Sequence, residues 1–151
     1  MYLIKEGSGY LTIGHEKIKM EAGNMYLIPS FTPCTYHFNK GLCHYYIHFS
    51  IDNPNGLSPF SMYSINNKIT AGQLDQSLFS RMLQINPDLQ LPHHHPHVYQ
   101  TKLWLNKKVT YQSVGHYLET TGILKQLFSR FPESEQSPVI SGLLKYNIEH
   151  I

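Results

Sequence analysis

Cys34-Thr35-Tyr36-His37-Phe38, then Asn39-Lys40-Gly41, then Leu42-Cys43-His44-Tyr45-Tyr46-Ile47-His48-Phe49-Ser50-Ile51 is two aromatic-rich runs around a turn-forming triplet. Aromatic and β-branched side chains suit a pleated, half-buried surface, and Asn, Lys and Gly suit a tight turn, so the stretch reads as a β-hairpin. A three-residue turn sets Phe38 opposite Leu42, Tyr36 opposite His44 and Cys34 opposite Tyr46. The other face then pairs Thr35 with Tyr45 and His37 with Cys43. Side chains alternate, so Cys34 and Cys43 point to opposite faces, and no disulfide between them is expected. Cys43, Tyr45, Ile47 and Phe49 form an apolar row suited to lying under helices or a second sheet. Cys34, Tyr36, His44, Tyr46 and His48 mix ring surface with hydrogen-bonding tips, which is what a pocket for a small polar ligand needs. The alternative is a filled interior in which those tips satisfy one another.

Working outward, β-structure occupies nearly all of residues 1–50. Residues 1–5 are an apolar run, and residues 10–13 and 17–20 keep a period of two across Gly14-His15-Glu16. Residues 25–28 read as a buried strand ended by Pro29. Residues 52–59 (DNPNGLSP) are a loop, with a short strand expected near 60–65. The period then changes. Residues 75–85 read as a helix with Leu78, Met82 and Ile85 on one face, closed by Asn86-Pro87. A short helix is expected over 99–105. A long one is expected over 111–131, its stripe of Val114, Tyr117, Leu118, Thr121, Leu124, Phe128 and Phe131 facing the β-structure. Ile123 and Leu127 stand at the margin of that stripe, where surplus apolar width suggests a dimer partner. The alternative is that the helix at 75–85 covers both within one chain. After a polar break at 132–137, Pro138 opens a further stripe of Ile140, Leu143, Leu144, Ile148 and Ile151. Strands first and helices second, without βαβ alternation, means a mainly β fold with C-terminal α-helices, an antiparallel barrel or sandwich.

Composition narrows the function. The chain has 151 residues, an apolar fraction of 41% and a formal net charge of +2. That charge is small for a domain that grips DNA phosphates. No stretch approaches the roughly 20 apolar residues of a membrane helix, and no secretory leader is evident. With only Cys34 and Cys43, a cytoplasmic protein with reduced thiols is the expectation. The first and last residues are both apolar, so the natural protein is expected to extend further.

Gly23-Asn-Met-Tyr-Leu-Ile-Pro29-Ser-Phe-Thr-Pro33-Cys34-Thr-Tyr36 resembles the second motif of the cupin superfamily. Together with Gly7-Ser-Gly9-Tyr-Leu-Thr-Ile13 and His44-Tyr-Tyr-Ile-His-Phe49, it resembles the amino-terminal effector-sensing domain of AraC-type transcriptional regulators. Thr121-Gly-Ile-Leu-Lys-Gln-Leu-Phe-Ser-Arg-Phe131 resembles that domain's dimerisation helices, and Lys145-Tyr-Asn-Ile-Glu-His-Ile151 the opening helix of a helix-turn-helix module. The resemblance implies a cupin-like double-stranded β-helix (jelly-roll) barrel over 1–70, antiparallel dimerisation helices over 71–137, and the start of a linker or first DNA-binding helix over 138–151. It implies a homodimer that binds a small-molecule effector, a carbohydrate above all, and touches DNA only through the module that follows. It places sensing residues at Cys34, Tyr36 and Tyr46 and near Glu6, to which the face reading adds His44 and His48.

No cofactor is expected. The first cupin motif is present only as its tail, and Cys34 stands where a cupin places its later histidine, so an iron or manganese site has little support. A small metal-dependent cupin enzyme, an isomerase or dioxygenase, is the rival reading. His93-His94-His95-Pro96-His97 carries metal-ligand chemistry, but reads as a surface loop without cysteine partners. No nucleophile–base pair or phosphate loop stands out.

Overall fold

The computed structural model describes residues 1–29, 32–49, 60, 63–87, 89 and 109–133. The His93–His97 tract, the loop at 52–59 and the helices expected at 99–105 and 138–151 lie outside the described residues.

Among the described residues, seven strands come first: β1 (Tyr2–Glu6), β2 (Ser8–Ile13), β3 (Glu16–Glu21), β4 (Asn24–Tyr26), β5 (Cys34–Phe38), β6 (Cys43–Tyr46) and β7 (Lys68–Thr70). After β7 the described residues form two helices, α1 (Gln73–Ile85) and α2 (Val114–Phe128). The strands form two antiparallel sheets, one in the order β6-β1-β4-β7 and one in the order β3-β2-β5. The mainly β reading with C-terminal helices holds. Among the described residues the strands form two sheets, neither of which closes into a barrel.

The reason lies at the expected hairpin. β5 pairs with β2, setting Leu11 opposite Tyr36, while β6 pairs with β1, setting Ile4 opposite His44. The chain therefore leaves one sheet and enters the other at Asn39–Leu42, where Leu42 N–H donates to Asn39 C=O at 3.2 Å. Gly41 has φ +86°, and Gly7, with φ +76°, lies against that turn. A Cβ on Gly7 would come within 2.7 Å of Gly41 O and Leu42 Cα, so only glycine lets the turn pass this close to the β1–β2 corner. The cross-turn ladder expected between residues 34–38 and 42–46 is thus absent. The face parity survives, because alternation belongs to each strand whatever its partner. Cys34 and Cys43 fall in different sheets, and both thiols are unbridged.

That parity separates two cores. Tyr2, Ile4, Leu11, Ile18, Met20 and Tyr26 are buried between the sheets. Met1, Leu3, Met25 and Leu27 point the other way and pack with Phe79, Met82, Ile123, Leu127 and Phe131 beneath the helices. Tyr45, Ile47 and Phe49 join this second core, as the apolar row required, whereas Cys43 is exposed where the β1–β6 register shifts between Ile4 and Glu6.

The helices are fixed at their ends. Asp75, at the third position of α1, accepts from Gly72 N–H at 2.8 Å and meets Arg130 Nε at 3.3 Å, so one buried carboxylate ties the start of α1 to the exit of α2. Ser113 caps α2 by accepting from His116 N–H at 3.1 Å. The direction in which α2 faces corrects the sequence reading. Ile123 (6% exposed) and Leu127 (0%) are in the intrachain core and cannot form a dimer face, while Val114 (74%) and Leu118 (60%) stand in solvent. Both sides of α2 are apolar, so periodicity alone identifies two candidate faces and chooses neither. β7, three residues against β4, is too short to leave a sequence signal, and of the described residues near the strand expected at 60–65, Phe60 is helical and Ile65 makes an isolated bridge to Pro132. No helix among the described residues is long and apolar enough to cross a membrane.

Candidate functional site

The residues between the sheets at the β5–β6 end form a continuous aromatic array. Tyr2 lies 5.8 Å from Tyr36, 5.6 Å from His44 and 6.4 Å from Tyr46 between ring centres. Phe38 bridges Tyr36 and His44 at 5.6 and 5.2 Å, and Tyr46 meets His48 edge-on at 5.5 Å. Four of the six come from the face picked out in sequence. Tyr2 and Phe38 were missed as site residues. Tyr2 sits in a short apolar run that gives no sign of a polar tip, and Phe38 sits at the turn.

At the Phe38–His44 end the rings pack on one another. At the other end the array opens into a cleft of about 270 Å³, lined among the described residues by Tyr2, Thr32, Cys34, Tyr36 and His48 and floored by apolar side chains such as Ile28 and Phe49. This volume is near the lower end of ligand pockets. No Asp, Glu, Lys or Arg side chain among the described residues lines it. His44 and Tyr46 back the cleft without lining it. Glu6 stands apart, exposed at the end of β1, where the register shift turns it away.

Tyr36 is the chemical centre. Tyr2 Oη donates to Tyr36 Oη at 3.2 Å and Cys34 Sγ donates to it at 3.4 Å. Burial, then these two bonds, push the Tyr36 phenol far above its ordinary range, so it stays protonated. Its oxygen accepts twice, and its own O–H has no acceptor among the described residues, which leaves it to donate into the cleft. Burial lowers the pKa of His44 and of His48, for His48 with a smaller contribution from the amino group of Met1, which also lines the cleft and is itself lowered to about 5 by burial. Both imidazoles are neutral at pH 7, so the cleft is an uncharged surface of rings, hydroxyl and imidazole tips.

Such a surface can stack a ring and exchange directed hydrogen bonds. A carboxylate or ammonium would find no countercharge on the described lining. Among the described residues, no three His, Cys, Asp or Glu side chains cluster where they could hold a metal ion. Compared with known proteins, the chain matches no family model, no curated protein and no solved structure.

Proposed function

We propose that the chain is the ligand-sensing and dimerising part of an AraC-type transcription regulator, binding a small uncharged metabolite, a sugar or similar ring compound, in the inter-sheet cleft. The observation that carries the reading is the cleft itself: it is faced by Tyr2, Tyr36 and His48, carries a phenolic donor with no acceptor among the described residues and has no charged side chain on the described lining. A binding pocket needs ring surface and directed hydrogen bonds; an enzyme of the metal-dependent cupin kind needs a ligand cluster as well. The two-layer β arrangement with helices against one sheet is compatible with the sensor resemblance. Control of DNA would pass to a helix-turn-helix module beyond residue 138, and dimerisation would use a surface other than Ile123 and Leu127.

A thermal-shift screen of neutral mono- and disaccharides and neutral aromatic metabolites tests the reading, since a ligand that binds only the folded state raises its melting temperature. At least one compound should stabilise the wild type. Tyr36→Ala should weaken that compound's binding about tenfold or more, while leaving the fold intact because Tyr36 is itself 38% exposed. Equal affinity of Tyr36→Ala and wild type by calorimetry would sink the proposal. So would stoichiometric metal in the purified protein, which favours the enzyme reading.

A further inference from the structure

The first two turns of α2 pose a problem separate from the cleft. Val114, Tyr117 and Leu118 are 74, 47 and 60% exposed. Their i, i+3, i+4 spacing is that of a seam between two helices, here without its second helix among the described residues. Further along α2 the same side is partly covered, since Phe128 meets Phe49 and Phe60 edge-on at 6.2 and 5.8 Å. The exposed apolar positions on this side are therefore those of the N-terminal half.

The chain itself supplies an occupant of matching chemistry and reach. After α2 it is pinned at the helix's far end: Asn66 N–H donates to Phe131 C=O at 2.9 Å, and Glu133 N–H donates to Ser64 C=O at 3.0 Å. Residues 134–137 follow, then the stripe of Ile140, Leu143, Leu144, Ile148 and Ile151 opened by Pro138. Four extended residues reach about 13 Å, enough to cross the roughly 10 Å between packed helix axes. Leu118 and Val114 lie ten and fourteen residues back from Phe128, about 15 and 21 Å at helical rise. A helix starting at Pro138 and running antiparallel to α2 covers about 20 Å by residue 151, which brings Ile148 and Ile151 level with the exposed pair.

We propose that residues 138–151 dock as an antiparallel helix on the Val114–Tyr117–Leu118 face of α2. The contact joins whatever chain follows residue 151 to the helical layer that packs on the β6-β1-β4-β7 sheet. It does not depend on what occupies the cleft.

Hydrogen exchange of the 151-residue chain, read by mass spectrometry at two protein concentrations, tests this. Peptides covering 140–151 should exchange about tenfold or more slowly than the same segment as a synthetic peptide, equally at both concentrations. Val114→Glu with Leu118→Glu should bring them to the synthetic-peptide rate. Peptides from β1 and β4 should stay protected, since both substituted positions face solvent; the milder pair Val114→Ser with Leu118→Ser serves if the charged variant fails to fold. Ile148→Glu should release the segment in the same way from the other side. Synthetic-peptide rates in the wild type would overturn the proposal, as would protection that survives the folded double variant. Protection that appears only at the higher concentration together with a doubled mass would assign the face to a second copy and overturn it equally.

Discussion

Tyr26 does two jobs with one oxygen. Its ring is wholly buried between the sheets, and its hydroxyl accepts from Glu21 N–H at 2.9 Å while donating to Lys19 C=O at 3.0 Å. The β3–β4 corner is held by that oxygen. Tyr26→Phe keeps the packing and strands two backbone groups, so it should cost about 1–3 kcal/mol in urea denaturation. A loss near zero would mean that water replaces the hydroxyl. In sequence Tyr26 is one aromatic among many in a plain apolar strand, and nothing separates it from Tyr36, which is half-exposed and faces the cleft. The difference lies in which neighbours the fold supplies. Alternation puts Cys34 and Tyr36 on one side of β5, but it was the expected hairpin, which does not form, that joined His48 to them. Glu6 could not be placed that way, because a register shift is set by pairing with β6 rather than by β1's own residues.

At the scale of elements, α2 shows where pattern reading stops. Its residues repeat with helical period on two sides, and the deciding contacts come from α1 and the sheet. Arg81 bonds Glu119 through Nε and Nη2 at 2.6 and 3.1 Å, and Asn86 Nδ2 donates to Thr120 Oγ1 at 3.2 Å, fixing the rotation of α2 against α1. That rotation puts Leu127 among Leu3, Phe79 and Phe131. Leu127→Ala should therefore cost about 2–5 kcal/mol of folding stability by denaturant titration, as deletion in a close-packed core does. A folded protein of unchanged stability but altered mass would return Leu127 to an interface. The β5–β6 turn makes the same point for strands. Its residues fit a hairpin, yet the approach of Gly7 to Gly41 and Leu42 sends the two arms to different sheets.

Acid response is a property of the whole molecule. The pKa values of His44 and His48 are lowered by burial, so the unfolded chain takes up protons that the folded one refuses. Stability is full above the ordinary imidazole value of about 6.5 and is lost as pH falls from there through the lowered values. The amino group of Met1, held at about 5 by burial, acts in the same sense starting from higher pH. Glu21 is held down by Lys19 and Lys68, so its contribution is lost only in the carboxylate range, well below that window. Urea midpoints measured from pH 8 to pH 5 should fall with acid, and His44→Gln should flatten the lower part of the curve. A flat wild-type profile would show that water reaches both rings. Of the architecture, the strand-then-helix order and the two faces of each strand were legible in the sequence. The pairing partners were not, because they depend on contacts between residues far apart in the chain.

One strand carries a consequence for motion. Tyr2 and Ile4 face the aromatic layer, while Met1 and Leu3 face the helices, and all four are buried. A backbone gripped on both sides by close-packed side chains has no slack to absorb a push. Whatever wedges Tyr2 aside must tilt the peptide plane it shares with Leu3, and Leu3 bears on Phe79 and Leu127. β1 thus places a single backbone between the two cores, so a displacement of Tyr2 would be felt where Leu3 meets the helix-side core.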